Sequence, residues 1–186
     1  IIMNNELLKR DLNQLQLLQL PRWTDLPGLN LYMDQVVSYI NQYLEVLDLD
    51  EITAAMINNY VKKGLVVAPD KKRYAKQQIS QVLIIALLKT NFSIEEIGRL
   101  LSVGTATDRN EKQLYDYFIL TFLDAIHQLD EEYSPFEQGT KPANGLVTET
   151  QKTLLKLACQ SVVYKIAIRI TVKKDQTTKL KSADKK

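Results

Sequence analysis

Cysteine and histidine are almost absent from this sequence, which has one of each among its 186 residues, Cys159 and His127. A single cysteine cannot form an intramolecular disulfide, and it offers no pair of thiolates to hold a metal ion. We therefore expect no metal site. Cys159 lies in a strongly apolar stretch, so we interpret it as a small buried hydrophobe and not as a redox sensor.

The patterns that mark catalytic sites are also missing. The sequence has no Gly-rich phosphate loop, no His-Glu-x-x-His and no serine flanked by glycines, and no nucleophile lies at an obvious pairing distance from His127. The adjacent acids Glu95 and Glu96 follow Ser93, and Ser93 with Glu96 forms a capping box that begins a helix. We expect a protein that is not an enzyme and that uses no cofactor.

Glycine and proline are scarce, with 6 and 5 residues, and this scarcity favours helices. The longest apolar run, residues 82–88, is far shorter than the roughly 20 residues that a membrane-spanning helix needs. We interpret it as a buried helix. No secretory leader pattern opens the sequence. We expect a mostly helical, cytoplasmic protein that does not bind membranes.

Positive charge is concentrated in the middle of the chain. Residues 52–76 hold six Lys or Arg against one Asp, a net charge of +5 in a protein whose total is +2. Residues 1–51 have three cations against eight anions, and residues 108–137 have two against eight. A basic centre between acidic flanks suits a protein that approaches nucleic acid in one orientation.

A short helix is predicted from Thr53 to Lys63, because Thr53 is a good N-cap and Gly64 is the residue type that usually ends a helix. Its buried face contains Ile57 and Tyr60, three residues apart. The opposite face carries Asn and Lys and no carboxylate. Asn can pair with an adenine edge in the major groove, and Lys can meet guanine or phosphate.

Two neighbouring segments extend this interpretation. An amphipathic helix precedes the short helix, with residues 47–51 as the turn, and this order is typical of a helix-turn-helix. Residues 66–76 are irregular and mix cations with a tyrosine, as expected for a wing that grips phosphates. We predict base contacts for Asn58 and Asn59. The candidates for the groove edge or phosphates are Lys62, Lys63, Lys71, Lys72, Arg73, Tyr74 and Lys76, together with Tyr60, which is expected to lie half in the core.

These residues resemble the MerR-type winged helix-turn-helix of bacterial transcription regulators, over about residues 50–101. That family has a Tyr, two basic residues and Gly-Leu after its recognition helix, then an Arg-x-Tyr wing and a Gly-Phe-Ser-Leu-Glu-Glu-Ile pattern. The corresponding residues here are Tyr60, Lys62, Lys63, Gly64 and Leu65, then Lys72, Arg73 and Tyr74, then Asn91 to Ile97. The resemblance implies a winged helix-turn-helix fold and DNA binding.

Two positions depart from the pattern of the MerR-type family. Asn58 stands where the family usually has an Arg in its recognition helix, and Lys72 replaces the Arg of the wing. The DNA sequence preference of the family therefore does not transfer. The wider chain resembles an uncharacterised family of Gram-positive bacterial proteins that carry this core, a domain of unknown function.

Four regions are predicted along the chain. Residues 1–30 form an N-terminal helix and linker in which Trp23 anchors in the core, and residues 31–104 form the winged helix-turn-helix. Residues 108–172 form a helical region for dimerisation or effector binding, with a loop at 133–144. Asp108 with Glu111, and Thr148 with Gln151, are predicted to cap its two helices. Residues 173–186 are expected to be a basic, disordered tail.

We therefore predict an all-α protein with a small wing, followed by a C-terminal helical hairpin or bundle. The predicted function is transcription regulation by binding double-stranded DNA. We expect a homodimer through the C-terminal helices, since the last helix is apolar around most of its circumference. The alternative is a non-enzymatic interaction module that has lost DNA binding. In a third hypothesis a small-molecule effector binds among Tyr115, Tyr117, Phe118 and Phe122.

Overall fold

The computed structural model describes residue 13 and residues 15–102, 111–129 and 148–183. Six helices have both ends in these ranges, residues 13, 15 and 16 are also helical, and no strand lies there. The six helices are α1 (Met33–Val46), α2 (Ala54–Lys62), α3 (Lys76–Leu88), α4 (Ile94–Ser102), α5 (Glu111–His127) and α6 (Glu149–Ala183). The protein is mostly helical, in agreement with the predicted all-α class. None of these helices is long and apolar enough to cross a lipid bilayer.

The ends of α2 are set by the two residues that the sequence indicated. The side-chain oxygen of Thr53 accepts a hydrogen bond from the backbone N–H of Met56 at 3.3 Å. Gly64 lies just beyond the helix with φ of +72°, a left-handed conformation that glycine adopts without strain. The predicted helix bounds are confirmed.

Two capping boxes begin α4 and α6. The backbone N–H of Ser93 donates to the Glu96 carboxylate at 2.7 Å, and the N–H of Glu96 donates back to the Ser93 hydroxyl at 3.2 Å. Thr148 and Gln151 form the same reciprocal pair before α6, with distances of 2.7 and 3.2 Å. Both predicted boxes are confirmed, and each satisfies helix N–H groups that would otherwise lack partners.

Helix α3 lies at the centre of the fold. None of its residues is exposed, and it packs against α1, α5 and α6. Residues such as Val82, Leu83, Ile85 and Leu87 are completely buried. A helix that is apolar around its circumference must be covered on all sides, so the prediction of a buried helix here is confirmed.

The segment before α1 packs on α5. The Tyr115 hydroxyl donates a hydrogen bond to the Pro21 carbonyl at 2.7 Å. The Trp23 ring meets the Tyr115 ring edge to face, with centroids 6.1 Å apart. The Arg22 guanidinium donates to the Asp116 carboxylate at 3.0 Å. Trp23 is thus packed against the core, as predicted.

The last two helices do not form the antiparallel hairpin that was one of the two predicted arrangements. Gln128, after the end of α5, accepts a hydrogen bond from Gln160 in α6 at 2.8 Å. Tyr117, which lies earlier in α5, lines one cavity together with Gln151, near the start of α6. The residues that meet therefore advance in the same direction along both helices. The arrangement is a bundle in which residues 130–147, outside the described ranges, connect the two helices.

Helix α6 is longer than expected. It continues to Ala183, past residue 172 where we predicted its end, so the prediction of a disordered tail is wrong for residues 173–183. This segment contains neither proline nor glycine, and Lys and Gln are good helix formers. The predicted cap at Asp108, the loop at residues 133–144 and the N-terminal helix before residue 13 lie outside the described residues.

Candidate nucleic-acid interface

The start of α2 is fixed by a side chain of α1. The side-chain amide of Asn41 donates to the Ile52 carbonyl at 3.0 Å and accepts from the Ile52 N–H at 2.9 Å. Ile52 is buried and directly precedes the N-cap residue Thr53. These two hydrogen bonds, which we call the Asn41 clamp, therefore set the position of α2 relative to α1. No sequence pattern marks Asn41, because it lies 11 residues before its partner.

The outer face of α2 carries amide and ammonium groups, as the helical periodicity of its sequence predicts. Ile57 and Tyr60 are turned into the core, while Asn58, Asn59 and Lys62 are exposed. No carboxylate lies on this helix. An amide and ammonium face of this kind can donate and accept hydrogen bonds at base edges and contact phosphates.

The predicted phosphate contact of Tyr60 is wrong. Its side chain is only 1% exposed, and its buried hydroxyl has no hydrogen-bond partner in the part of the chain that the structure describes. Burial raises the pKa of this phenol. The physical reason is helical geometry, because Tyr60 lies three residues after the fully buried Ile57 and shares its face.

Between α2 and α3 the chain forms a loop of residues 66–75, which we call the basic loop. Its tip is a tight turn, in which the Arg73 N–H donates to the Asp70 carbonyl at 2.8 Å. The two central residues, Lys71 and Lys72, have φ of +46° and +62°. Positive φ at both central positions is the pattern of a type I′ turn, which favours Asn-Gly because most L-residues are strained there.

The base of the basic loop is joined to the residue before α1. Leu31 and Tyr74 form an antiparallel bridge, with N–H to carbonyl distances of 2.9 and 2.8 Å. The Tyr74 side chain is 3% exposed, and burial raises the pKa of its phenol. The prediction that Tyr74 contacts phosphate is therefore wrong. Its neighbouring cations suggested a surface role, but the bridge turns this side chain inward.

Two further contacts hold the basic loop in place. The Arg73 guanidinium donates to the Tyr32 hydroxyl at 2.7 Å and lies 4.6 Å from the centroid of the Tyr32 ring. The Gln81 side chain in α3 accepts a hydrogen bond from the Val67 N–H at 2.9 Å. Neither Tyr32 nor Gln81 was predicted from the sequence, since each is distant in the chain from its partner. Arg73 remains exposed, so it can still contact a ligand while it is oriented.

Two of the predicted cations have partners within the protein. The Lys63 ammonium lies 2.5 Å from the Glu95 carboxylate in α4, and this hydrogen bond lowers the pKa of Glu95. The Lys76 ammonium is half-buried and donates to the carbonyls of Trp23 and Thr24, at 2.9 and 3.3 Å. Lys76 therefore holds the segment before α1, which corrects its prediction as a phosphate contact.

Three other predicted cations are exposed. Lys62, Lys71 and Lys72 have no carboxylate within ion-pair distance among the described residues. Asn58, Asn59, Lys62, Lys71 and Lys72 are exposed and remain candidates for DNA contacts, together with Arg73, which Tyr32 orients. Within the described ranges no group of three or more His, Cys, Asp or Glu side chains is arranged to hold a metal ion.

The aromatic residues proposed for an effector site are only partly brought together. A cavity of about 230 Å³ lies between α3, α4, α5 and α6. Tyr115, Tyr117 and Phe118 line it, but Phe122 is completely buried elsewhere in the core. The Tyr115 hydroxyl is already bonded to the Pro21 carbonyl. Core packing accounts for this cluster without a ligand.

The protein is thus mostly helical, with an exposed amide and ammonium face on α2 and a basic loop fixed between α2 and α3. A family model described as "Domain of unknown function (DUF1836)" matches residues 21–118, which are 98 of the 186 residues. The chain belongs to this family. The match includes the Asn41 clamp, α2 and the basic loop. Comparisons with curated proteins and with solved structures found no match.

Proposed function

We propose that this protein regulates transcription by binding double-stranded DNA. In this proposal α1 and α2 act as a helix-turn-helix, and the basic loop acts as its wing. Helix α2 enters the major groove, where Asn58 and Asn59 contact base edges. Lys62 contacts the groove edge or a phosphate, and Lys71 and Lys72 contact phosphates. The resemblance of residues 50–101 to the MerR-type motif supports the same assignment.

The observation that carries the proposal is the conformation of the loop tip. A left-handed conformation costs an L-residue with a side chain roughly 1–2 kcal/mol, and Lys71 and Lys72 both adopt it. Both side chains are exposed and have no ion-pair partner among the described residues. They therefore form no ion pair there that would offset the strain. Strain of this kind is typical of functional positions, and two adjacent ammonium groups fit a polyanion.

The contacts around the loop support the same function. The Leu31–Tyr74 bridge and the bond from Val67 to Gln81 hold the two arms of the loop, and Tyr32 holds Arg73. Side chains on a fixed loop lose less entropy when they bind than side chains on a freely moving one. The cations are therefore positioned before a ligand arrives.

The surface also predicts how strongly binding should depend on salt. Lys62, Lys71, Lys72 and Arg73 are the available cations, because Lys63 is paired with Glu95. Each phosphate contact contributes about −0.9 to the slope of log K against log salt, so four contacts give a slope of about −3 to −4. A slope near zero would be incompatible with this interface.

The experiment is a salt series of binding to a random-sequence DNA duplex, followed by fluorescence anisotropy. The double variant Lys71→Asn/Lys72→Gly keeps the turn and removes two cations, so we expect the slope to fall by about 2. The matched control Lys112→Ala/Lys156→Ala removes two exposed cations from α5 and α6, and it should leave the slope unchanged.

Absence of binding by the folded wild type at low salt would contradict the proposal. The alternative function, a protein-interaction module that has lost DNA binding, would then be favoured. Binding that both double variants weaken equally would indicate attraction by net charge alone, and it would contradict a specific role of the loop.

A further inference from the structure

Helix α6 has two apolar faces, and the described residues of the protein cover only one of them. Ala158, Cys159, Val162, Val163 and Ile166 are buried against the rest of the protein. On the opposite side, Leu154, Leu157, Tyr164 and Ile168 are exposed by 39, 57, 51 and 64%. Exposed apolar side chains that form a continuous line usually mark an interaction surface.

The exposed residues follow a regular spacing. Together with Ser161 they occur at intervals of 3, 4, 3 and 4 residues, and we call these five residues the α6 seam. This is the heptad spacing with which one helix packs against another in a left-handed coiled coil. Isolated exposed apolar residues need no explanation, but a line of them at heptad spacing is the pattern of a helix-packing surface.

A groove borders one end of the seam. It has a volume of about 460 Å³ and lies between α4 and α6, where Phe92 and Leu100 face Leu154 and Leu157. The other end of the seam carries Ile168, the most exposed of its side chains. The same face therefore has a hollow at one end and a protruding side chain at the other.

We propose that the α6 seam packs against the same seam of a second copy of this chain, with the two helices antiparallel. In a two-fold contact both protomers use the same surface, so each must present a protruding part and a part that receives it. Here these parts are Ile168 and the groove beside Leu157. Antiparallel pairing then places Leu157 opposite Ile168 of the partner subunit, beside the groove. The same register places the small Ser161 opposite Tyr164 of the partner subunit, where a large side chain has room.

The charges beside the seam favour a second copy over a charged foreign helix. The flanking positions are Thr153, Ala158, Gln160, Lys165 and Ala167, so they carry only one charge. The Lys165 ammonium already donates to the Thr90 carbonyl at 2.5 Å. In the antiparallel register Lys165 lies across from Ala158 of the partner subunit, which is uncharged, and no like charges oppose each other across these flanking positions. These flanking positions therefore cannot select a foreign helix through rows of opposite charge.

The proposal is tested by sedimentation of the full chain without DNA, so its outcome is independent of the DNA-binding proposal. We expect a concentration-dependent dimer. Leu157→Glu should weaken it by more than tenfold, because a carboxylate would be buried opposite an apolar side chain. The control Lys156→Glu introduces the same side chain about 100° around the helix and should leave the dimer intact. Circular dichroism checks that both variants fold.

A double variant tests the direction and register of the helices. Leu157→Glu/Ile168→Lys places opposite charges across the antiparallel interface, so it should recover much of the dimer that Leu157→Glu loses. Leu157→Glu/Ile168→Glu places like charges there and should remain monomeric. A monomeric wild type, or a dimer that Leu157→Glu does not affect, would overturn the proposal. Failure of the opposite-charge variant alone would overturn the antiparallel register.

Discussion

The Asn41 side chain makes one hydrogen bond to the N–H and one to the carbonyl of Ile52, and so connects the middle of α1 to the start of α2. Asn is the only residue type of this length that carries a donor and an acceptor side by side. The angle between the two helices, and with it the direction of the exposed α2 face, depends on this pair.

The first prediction is that Asn41→Ala destabilises the protein by about 2 kcal/mol, since it leaves two backbone groups of a buried residue without partners. Asn41→Asp keeps the acceptor but sets a carboxylate oxygen against the Ile52 carbonyl, so we expect it to destabilise the protein at neutral pH as well. Urea unfolding measures both. Equal stability of Asn41→Ala and the wild type would mean that water replaces the clamp.

The second prediction concerns the strain at the loop tip. Lys71→Asn/Lys72→Gly introduces the sequence that a type I′ turn prefers, so it should stabilise the fold by about 1 kcal/mol after the entropy cost of glycine. The same variant should bind DNA less tightly. Opposite changes in stability and affinity cannot arise from partial unfolding. Thermal unfolding measures the stability of the variant. A loss of stability would contradict the strain that we assign to Lys71 and Lys72.

The third prediction uses the Lys63–Glu95 pair. Glu95→Gln should free Lys63, raise DNA affinity at low salt and steepen the salt slope by about 1. Glu96→Gln is the matched control, because it removes the same charge from the next residue while its amide can still cap Ser93. If both variants raise affinity equally, the effect comes from net charge and not from release of Lys63.

The same pair gives a pH dependence with a definite sign. Its hydrogen bond to Lys63 lowers the pKa of Glu95 in the folded protein below the ordinary value of 4.5. Any stabilisation by the pair is therefore complete above this ordinary value, and it is lost as the pH falls through the lowered pKa. The effect should be small, since both side chains are largely exposed. Comparison of Glu95→Gln with the wild type across acidic pH measures it.

The fourth prediction concerns Cys159. Burial raises the pKa of its thiol far above the ordinary range, and its side chain is completely buried. Because the thiolate is the reactive form, iodoacetamide should not label the native protein at pH 8. Labelling should follow unfolding, as mass spectrometry across a urea series would show. Rapid labelling without denaturant would indicate that α6 separates easily from the core.

The features that the sequence predicted well are local ones. Thr53, Gly64 and the Ser93–Glu96 box act through residues at most a few positions away, so their types and spacing are sufficient. The direction of Asn58 and Asn59 follows from the buried positions of Ile57 and Tyr60 on the same helix. Helical periodicity determines which side chains share a face before any tertiary contact is known.

Two of the errors, at Lys76 and Tyr74, involve contacts between distant parts of the chain. Lys76 binds the carbonyl of Trp23 across 53 residues. Tyr74 was assigned to the surface from its basic neighbours, whereas its bridge to Leu31 turns it inward. A cation has the same type whether it meets a phosphate or a carbonyl of its own chain. Only the packing of the elements distinguishes these roles.

The enclosed position of α3 limits how the protein can be divided. Helix α3 directly follows the basic loop, and it packs against α5 and α6 as well as α1. A fragment that ended after α4 would leave an apolar flank of α3 in water. We therefore expect the exposed α2 face and the basic loop to be unsuited to transplantation as a small module. Designers who want this surface would have to take the C-terminal helices with it.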